Sequence, residues 1–131
     1  MRRKAFIRLI LKAGLICKPE NITDQLVDEI YQEAFVPHFG RAFETWQRSE
    51  YMGRKGLRSS YGDRMSEIGV PSIIVHGAQD RSVPVAHARK AHELIADSEL
   101  HIMEEARHWP QKEYPEKFTK IIKSFLVKLN V

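Results

Sequence analysis

Apolar residues recur at helical spacing through the first 68 positions, and from residue 69 onward they gather into short continuous runs separated by polar loops. In MRRKAFIRLILKAGLICKP, Phe6, Ile7, Ile10, Leu11 and Ile16 can share one broad face of an amphipathic helix, which Lys18-Pro19 stops. Asn21 or Thr23 can cap a second helix. Its stripe of Ile22, Leu26, Val27, Ile30, Tyr31, Ala34 and Phe35 asks to be buried, and Pro37 ends it. GRAFETWQRSE, residues 40–50, predicts a short third helix carrying Phe43 and Trp46. From Met52 to Gly69, glycines, serines and charges predict an irregular connection with one helical turn.

The second half predicts strand, helix, strand, helix. In GVPSIIVHG, the β-branched run Ile73, Ile74 and Val75 is bounded by proline and glycine, as expected of a strand buried on both faces. Pro84 can occupy the first turn of a helix continuing through VAHARKAHELIA, with Val85, Ala88, Ala91, Leu94 and Ile95 on its apolar face. ELHIMEE reads as a second strand, and Pro115 opens a last helix whose Phe118, Ile121, Ile122, Phe125, Leu126 and Leu129 form one face. A strand-helix-strand unit of this size implies a right-handed crossover and a parallel pair. Two parallel strands leave faces uncovered and edges unpaired, so the pattern is that of the end of a larger, here incomplete, sheet. Two regions are expected: a helical region, 1–68, and a strand-helix-strand-helix region, 69–131.

Composition narrows the picture. The 131 residues suffice for one modest core, and 43% hydrophobic with 29% charged residues is a globular balance. No run approaches the roughly 18 apolar residues of a membrane span, so no membrane association is expected. The net charge of +4 comes from 21 basic and 17 acidic side chains that are interspersed, and no nucleic-acid partner is expected. MRRKAFIRLILK holds five basic residues and no acid, but Arg8 and Lys12 interrupt what would be the apolar core of a secretory signal. Cys17 is alone, which rules out an intramolecular disulfide, a redox pair or a thiolate zinc cluster; it suits a reducing, cytoplasmic setting and reads as a small buried filler.

Each predicted strand runs into a polar loop. The first gives HGAQDRSVP, with Asp80 just past the strand, and the second gives EEARHWP, with His108 in the equivalent place. Ligand sites of parallel α/β sheets lie outside the carboxyl ends of the strands. There an aspartate can fix the tautomer of a histidine, which is left free to take a proton from a nucleophile. Taken singly, Asp80 could merely organise a turn and His108 could be a loop histidine with one hydrogen bond; the order of acid then histidine, each after a strand, is what favours chemistry.

On these residues, VPSIIVHGAQDRSVPV followed by ARHWPQKEYPEKF and SFL, the stretch 69–126 resembles the carboxyl-terminal part of the α/β-hydrolase superfamily. There the motif H-G-x-x-D-x-x-V-P supplies the triad acid and G-H-x-x-x-x-E-x-P-x-x-F the base. The resemblance implies Asp80 as acid and His108 as general base, no cofactor, and hydrolysis of an ester, lactone, thioester or activated carbon-carbon bond in a small apolar substrate. It also makes residues 1–68 similar to the lid or cap region before the acid strand, and residues 69–131 to the end of the α/β core. Two departures stand out. Arg107 replaces the usual glycine before the histidine, where its cation could crowd the site or pair with Glu104, Glu105 or a substrate carboxylate. The G-x-S-x-G elbow of the nucleophile is missing, as is an HGGG-type oxyanion motif. Ser60 in RSSYG has glycine on one side only and lies in a loop before the acid strand, a poor setting for a nucleophile.

Other chemistry is weaker. His87 and His92 are five apart, on different faces of a helix, and no H-E-x-x-H accompanies them, so no metal site is expected. His76 and His101 read as structural or surface residues, and Trp46 and Trp109 as packing. No phosphate-cradling loop or dinucleotide fingerprint is present. The expectation is an α/β-hydrolase segment holding acid and base, inactive alone, whose nucleophile lies on another chain or upstream of Met1. The alternative is a non-catalytic fragment of the same fold that works through self-association, as a homodimer, or through a partner chain.

Overall fold

The computed structural model describes residues 2–34, 36, 38–50 and 61–130. Phe35, Pro37 and Ser60 lie outside them, as does the side chain of Phe43. The chain begins with α1 (Arg2–Ile10), which runs directly into a π-helical turn, Leu11–Leu15, closed by the Ile16 N–H donating to the Leu11 carbonyl at 2.8 Å. A 3₁₀ turn, Pro19–Asn21, leads to α2 (Asp24–Ala34). The cap is Thr23, whose Oγ1 accepts the Leu26 N–H at 3.1 Å. The other candidate, Asn21, donates through Nδ2 to the Glu113 carbonyl at 2.9 Å instead. Helix α3 (Phe39–Glu50) follows, and a second 3₁₀ segment, Gly62–Glu67, precedes the sheet.

The amphipathic reading of α1 holds at its carboxyl end and fails at its start. Leu11 and Ile16 are fully buried with Leu26 and Val27, and Ile7, Leu15, Ile22, Ile30 and Trp109 pack around this cluster. Phe6 and Ile10 are exposed, because α1 meets α2 along one narrow stripe and the rest of its broad apolar face is uncovered among the described residues.

The sheet has two parallel strands, β1 (Ser72–Gly77) and β2 (Ser98–Met103), paired in register from Ser72 with Ser98 to Gly77 with Met103. Helix α4 (Val85–Leu94) connects them and packs on both, while α6 (Pro115–Lys128) contacts β1. Pro84 stands one residue outside α4 as its N-cap, since its ψ of 138° is extended rather than helical. The strands are half-buried along most of their length, not buried on both faces as the run Ile73–Val75 predicts. The physical reason is the incomplete sheet: burial on both faces requires neighbouring strands and helices that these residues do not include. A single turn, α5 (Pro110–Glu113), between His108 and α6 was not evident from the sequence pattern.

Candidate active site

Gly77, the last residue of β1, sets the distance between the two loops that follow the strands. A Cβ there would collide with the carbonyl oxygens of Arg107 and Ala106, so glycine lets the second loop lie directly on the first. The contact is fastened by the Gln79 N–H donating to the Ala106 carbonyl at 3.0 Å and the Ala78 N–H donating to the Met103 carbonyl at 3.0 Å.

Asp80 occupies the tip of the first loop with its side chain only 2% exposed. Its Oδ1 accepts the N–H groups of Ser82 at 2.7 Å and Val83 at 3.0 Å, which turns the chain toward α4. Its Oδ2 faces His108 Nδ1 at 2.8 Å. The turn-organising and histidine-pairing readings of Asp80 are therefore both realised, one on each oxygen. Burial is the largest influence on this carboxyl and opposes its ionisation. The hydrogen bonds from Val83, His108 and Ser82 together outweigh it, and the group is held below its ordinary value.

An ionised carboxylate can only accept, so Nδ1 of His108 carries the proton of that bond. In the neutral imidazole Nε2 is then an acceptor. The His108 side chain is one-third exposed, and Nε2 makes no hydrogen bond among the described residues. The arrangement is a tautomer-fixed imidazole with its basic nitrogen outward. A second histidine stands behind the acid: His76 Nε2 lies 3.0 Å from the Val83 carbonyl and 3.7 Å from Asp80 Oδ2. A carbonyl only accepts, so this nitrogen is protonated and braces the Asp80 loop. Bracing is a structural role, as the reading of His76 as a structural or surface residue has it; that reading did not include its place beside the acid.

Arg107 does not crowd the site and does not pair with Glu104 or Glu105. Its Nη1 turns away to the carbonyls of Lys12 at 2.8 Å and Ile16 at 3.1 Å. The π-helical turn ends there with carbonyls that lack partners within the helix, and a cation satisfies both their hydrogen bonding and the helix dipole. Cys17 is half-buried rather than a buried filler, with its thiol donating to Gln79 Oε1 at 3.2 Å. Trp109 packs on the helical cluster, as its packing reading has it, whereas Trp46 is half-exposed. His87 and His92 are exposed on α4, and His101 lies 3.4 Å from Glu99. Among the described residues no group of three or more histidine, cysteine, aspartate or glutamate side chains is arranged to hold a metal ion. No helix among them is long and apolar enough to cross a membrane.

The sheet order, the loops after its strands and the helices around it define one fold class. The chain has the fold of the carboxyl-terminal part of an α/β-hydrolase. It overlays on a serine hydrolase involved in carbazole degradation with a TM-score of 0.78 and 28% identity, covering 95% of this chain and 47% of that one. A meta-cleavage product hydrolase from Pseudomonas fluorescens overlays with a TM-score of 0.77 and 22% identity, over 96% of this chain and 46% of that one. In sequence, 68 residues are 38% identical to a 2-hydroxy-6-oxononadienedioate/2-hydroxy-6-oxononatrienedioate hydrolase of Klebsiella pneumoniae, 52% of this chain and 24% of that protein. A 2-hydroxymuconate semialdehyde hydrolase of Pseudomonas putida is 26% identical over 106 residues, 80% of this chain and 37% of that protein. The chain thus spans a quarter to a third or so of the length of these curated relatives, and just under half of the solved structures. No protein-family model matches it.

Proposed function

We propose that these residues supply the acid and base of a Ser-His-Asp hydrolase, with residues 1–68 acting as its cap-like part and residues 69–131 as the end of its core. The observation that carries the reading is the 2.8 Å pairing of the buried Asp80 carboxylate with His108 Nδ1 beyond the ends of adjacent parallel strands. In this role His108 Nε2 takes the proton of a serine hydroxyl as that oxygen attacks a carbonyl, and returns it to the leaving group. Water then repeats the step on the acyl-enzyme, and Asp80 stabilises the imidazolium each time. The relatives are named as hydrolases of 2-hydroxy-6-oxononadienedioate or 2-hydroxymuconate semialdehyde, which favours an activated carbon-carbon bond as the substrate bond, with esters as surrogates. The likeness to hydrolases speaks against the non-catalytic alternative.

The 131 residues contain no G-x-S-x-G, and the nucleophile is assigned to a segment carrying that elbow. Reconstitution tests this: the chain is combined with an α/β-hydrolase amino-terminal segment bearing G-x-S-x-G, and hydrolysis of a 2-hydroxy-6-oxo dienoate and of a p-nitrophenyl ester is followed. Turnover should need both parts and fall by about 10³-fold or more with His108→Ala. Robust turnover that is indifferent to His108→Ala would sink the assignment.

A further inference from the structure

Glu113 is a buried charged side chain, 4% exposed, and the site described above does not use it. Its two carboxylate oxygens serve different parts of the chain. Oε1 accepts the N–H of Arg107 at 2.6 Å, and Oε2 accepts the N–H of Cys17 at 2.6 Å. Its own backbone is held by Trp109, whose carbonyl accepts the Glu113 N–H at 3.0 Å, and by Asn21, whose Nδ2 donates to the Glu113 carbonyl.

Removing a carboxylate from water is costly unless its lone pairs are taken by good donors. Here the donors are backbone N–H groups at the short distances of charge-assisted bonds. One of them belongs to the residue immediately before His108, and the other to Cys17, two residues past the π-helical turn. On its opposite side the Arg107 peptide is pressed against Gly77, whose missing Cβ makes the room. The peptide that carries His108 is therefore gripped between Gly77 and Glu113, and the grip is anchored on the helical part of the chain through Cys17.

From this geometry we infer that Glu113 is a positioning residue for His108: its carboxylate fixes the Arg107 peptide, and through it the aim of the imidazole at Asp80. The inference rests on reading His108 and Asp80 as base and acid. It also gives the helical part a duty toward the reaction that does not require it to touch substrate, because displacing Cys17 loosens one oxygen of the clamp.

The test uses the 131-residue chain and nuclear magnetic resonance of the His108 imidazole, whose Nδ1–H proton should appear far downfield when bonded to Asp80. In Glu113→Gln one acceptor oxygen becomes an NH₂ facing a backbone N–H, so one clamp bond is lost at nearly constant volume. The expected result is loss of the Nδ1–H signal, or exchange with water faster by about tenfold or more, in protein whose other amide signals show it folded. A merely structural Glu113 would lower stability and leave the signal of the folded molecules unchanged; that outcome overturns the inference while the Asp80 pairing stands. Asp80→Ala separates the two readings, since it leaves no acceptor for the Nδ1–H, and a signal that survives it shows that the pair itself is absent in solution and removes both. Should Glu113→Gln fail to fold, Glu113→Asp decides. Its shorter carboxylate should speed exchange of the His108 signal and the Arg107 amide together, and weakening of the Arg107 amide alone overturns the inference.

Discussion

At the scale of single residues, the most informative charge is the carboxylate of Asp80. It is almost fully buried, and its ionised form is held by two backbone N–H groups and an imidazole N–H. Its value in the folded state lies below the ordinary 3.8, so the folded state binds this proton less readily than the unfolded one. The resulting stabilisation is complete above that ordinary value and is lost as pH falls through the lower native one. Urea unfolding at pH 7 should accordingly show Asp80→Asn less stable than the wild type by about 1–3 kcal/mol. The two should converge as pH drops below 3.8; a gap that persists there would mean that the lost stability is steric rather than electrostatic. Asp80 and His108 were legible from the sequence because each follows a β-branched run and a polar loop, a local pattern. The partners of Cys17 and of the Arg107 side chain were not, since each is met across more than sixty residues of chain. The Glu113 bond to the Arg107 N–H spans only six residues but depends on the turn α5, which the pattern did not show. No spacing rule along the sequence encodes such contacts; a buried glutamate at a fixed offset from the histidine was the single available hint.

Among the elements, the decisive joint is between the π-helical turn, α2 and the loop that carries His108. Leu11, Ile16, Leu26 and Val27 form the cluster, and Trp109, next in sequence to His108, packs on it. The helical elements and the histidine loop thus share hydrophobic contacts as well as the Arg107 and Glu113 hydrogen bonds. Helical period exposed most of this in advance, together with the strand-helix-strand order and a cap at either Asn21 or Thr23, of which the structure uses Thr23. It could not show that the face of α1 would be covered at Leu11 and left bare at Phe6, because period says which residues share a face and not how far a partner extends. Leu11 is 1% exposed, so Leu11→Ala should cost about 2–5 kcal/mol in the same unfolding assay. Thr23→Ala, which removes the acceptor for the Leu26 N–H, should cost about 1 kcal/mol. Because Trp109 joins the cluster to the site, Leu11→Ala should also disturb the His108 imidazole signal, whereas Thr23→Ala should not. Equal effects of the two on that signal would show that the helical cluster and the histidine loop are not specifically linked.

For the molecule as a whole, a parallel sheet of two half-buried strands is an unusual thing to leave in water. Each strand has one edge without a strand partner among the described residues, and an unpaired edge is a template for further pairing. Phe6 and Leu9 are both 61% exposed on α1, and Val70, just before β1, is 63% exposed. The solved hydrolases that share this fold continue for about as much chain again, which is enough protein to cover such surfaces. Alone, the 131-residue chain should therefore associate with itself as its concentration rises. Sedimentation velocity across about 1 to 100 μM, the range in which exposed apolar surface drives association, should show a rising average mass. An added amino-terminal segment bearing the elbow should reverse this, and catalytic turnover should appear over the same titration. Phe6→Glu together with Leu9→Lys should reduce association through α1 but leave the part that runs through the sheet edge. A chain that stays monomeric at the highest concentration and unfolds in one sharp transition would show that these surfaces need no cover, and would weaken the proposal that a second segment packs on them more directly than any assay of activity.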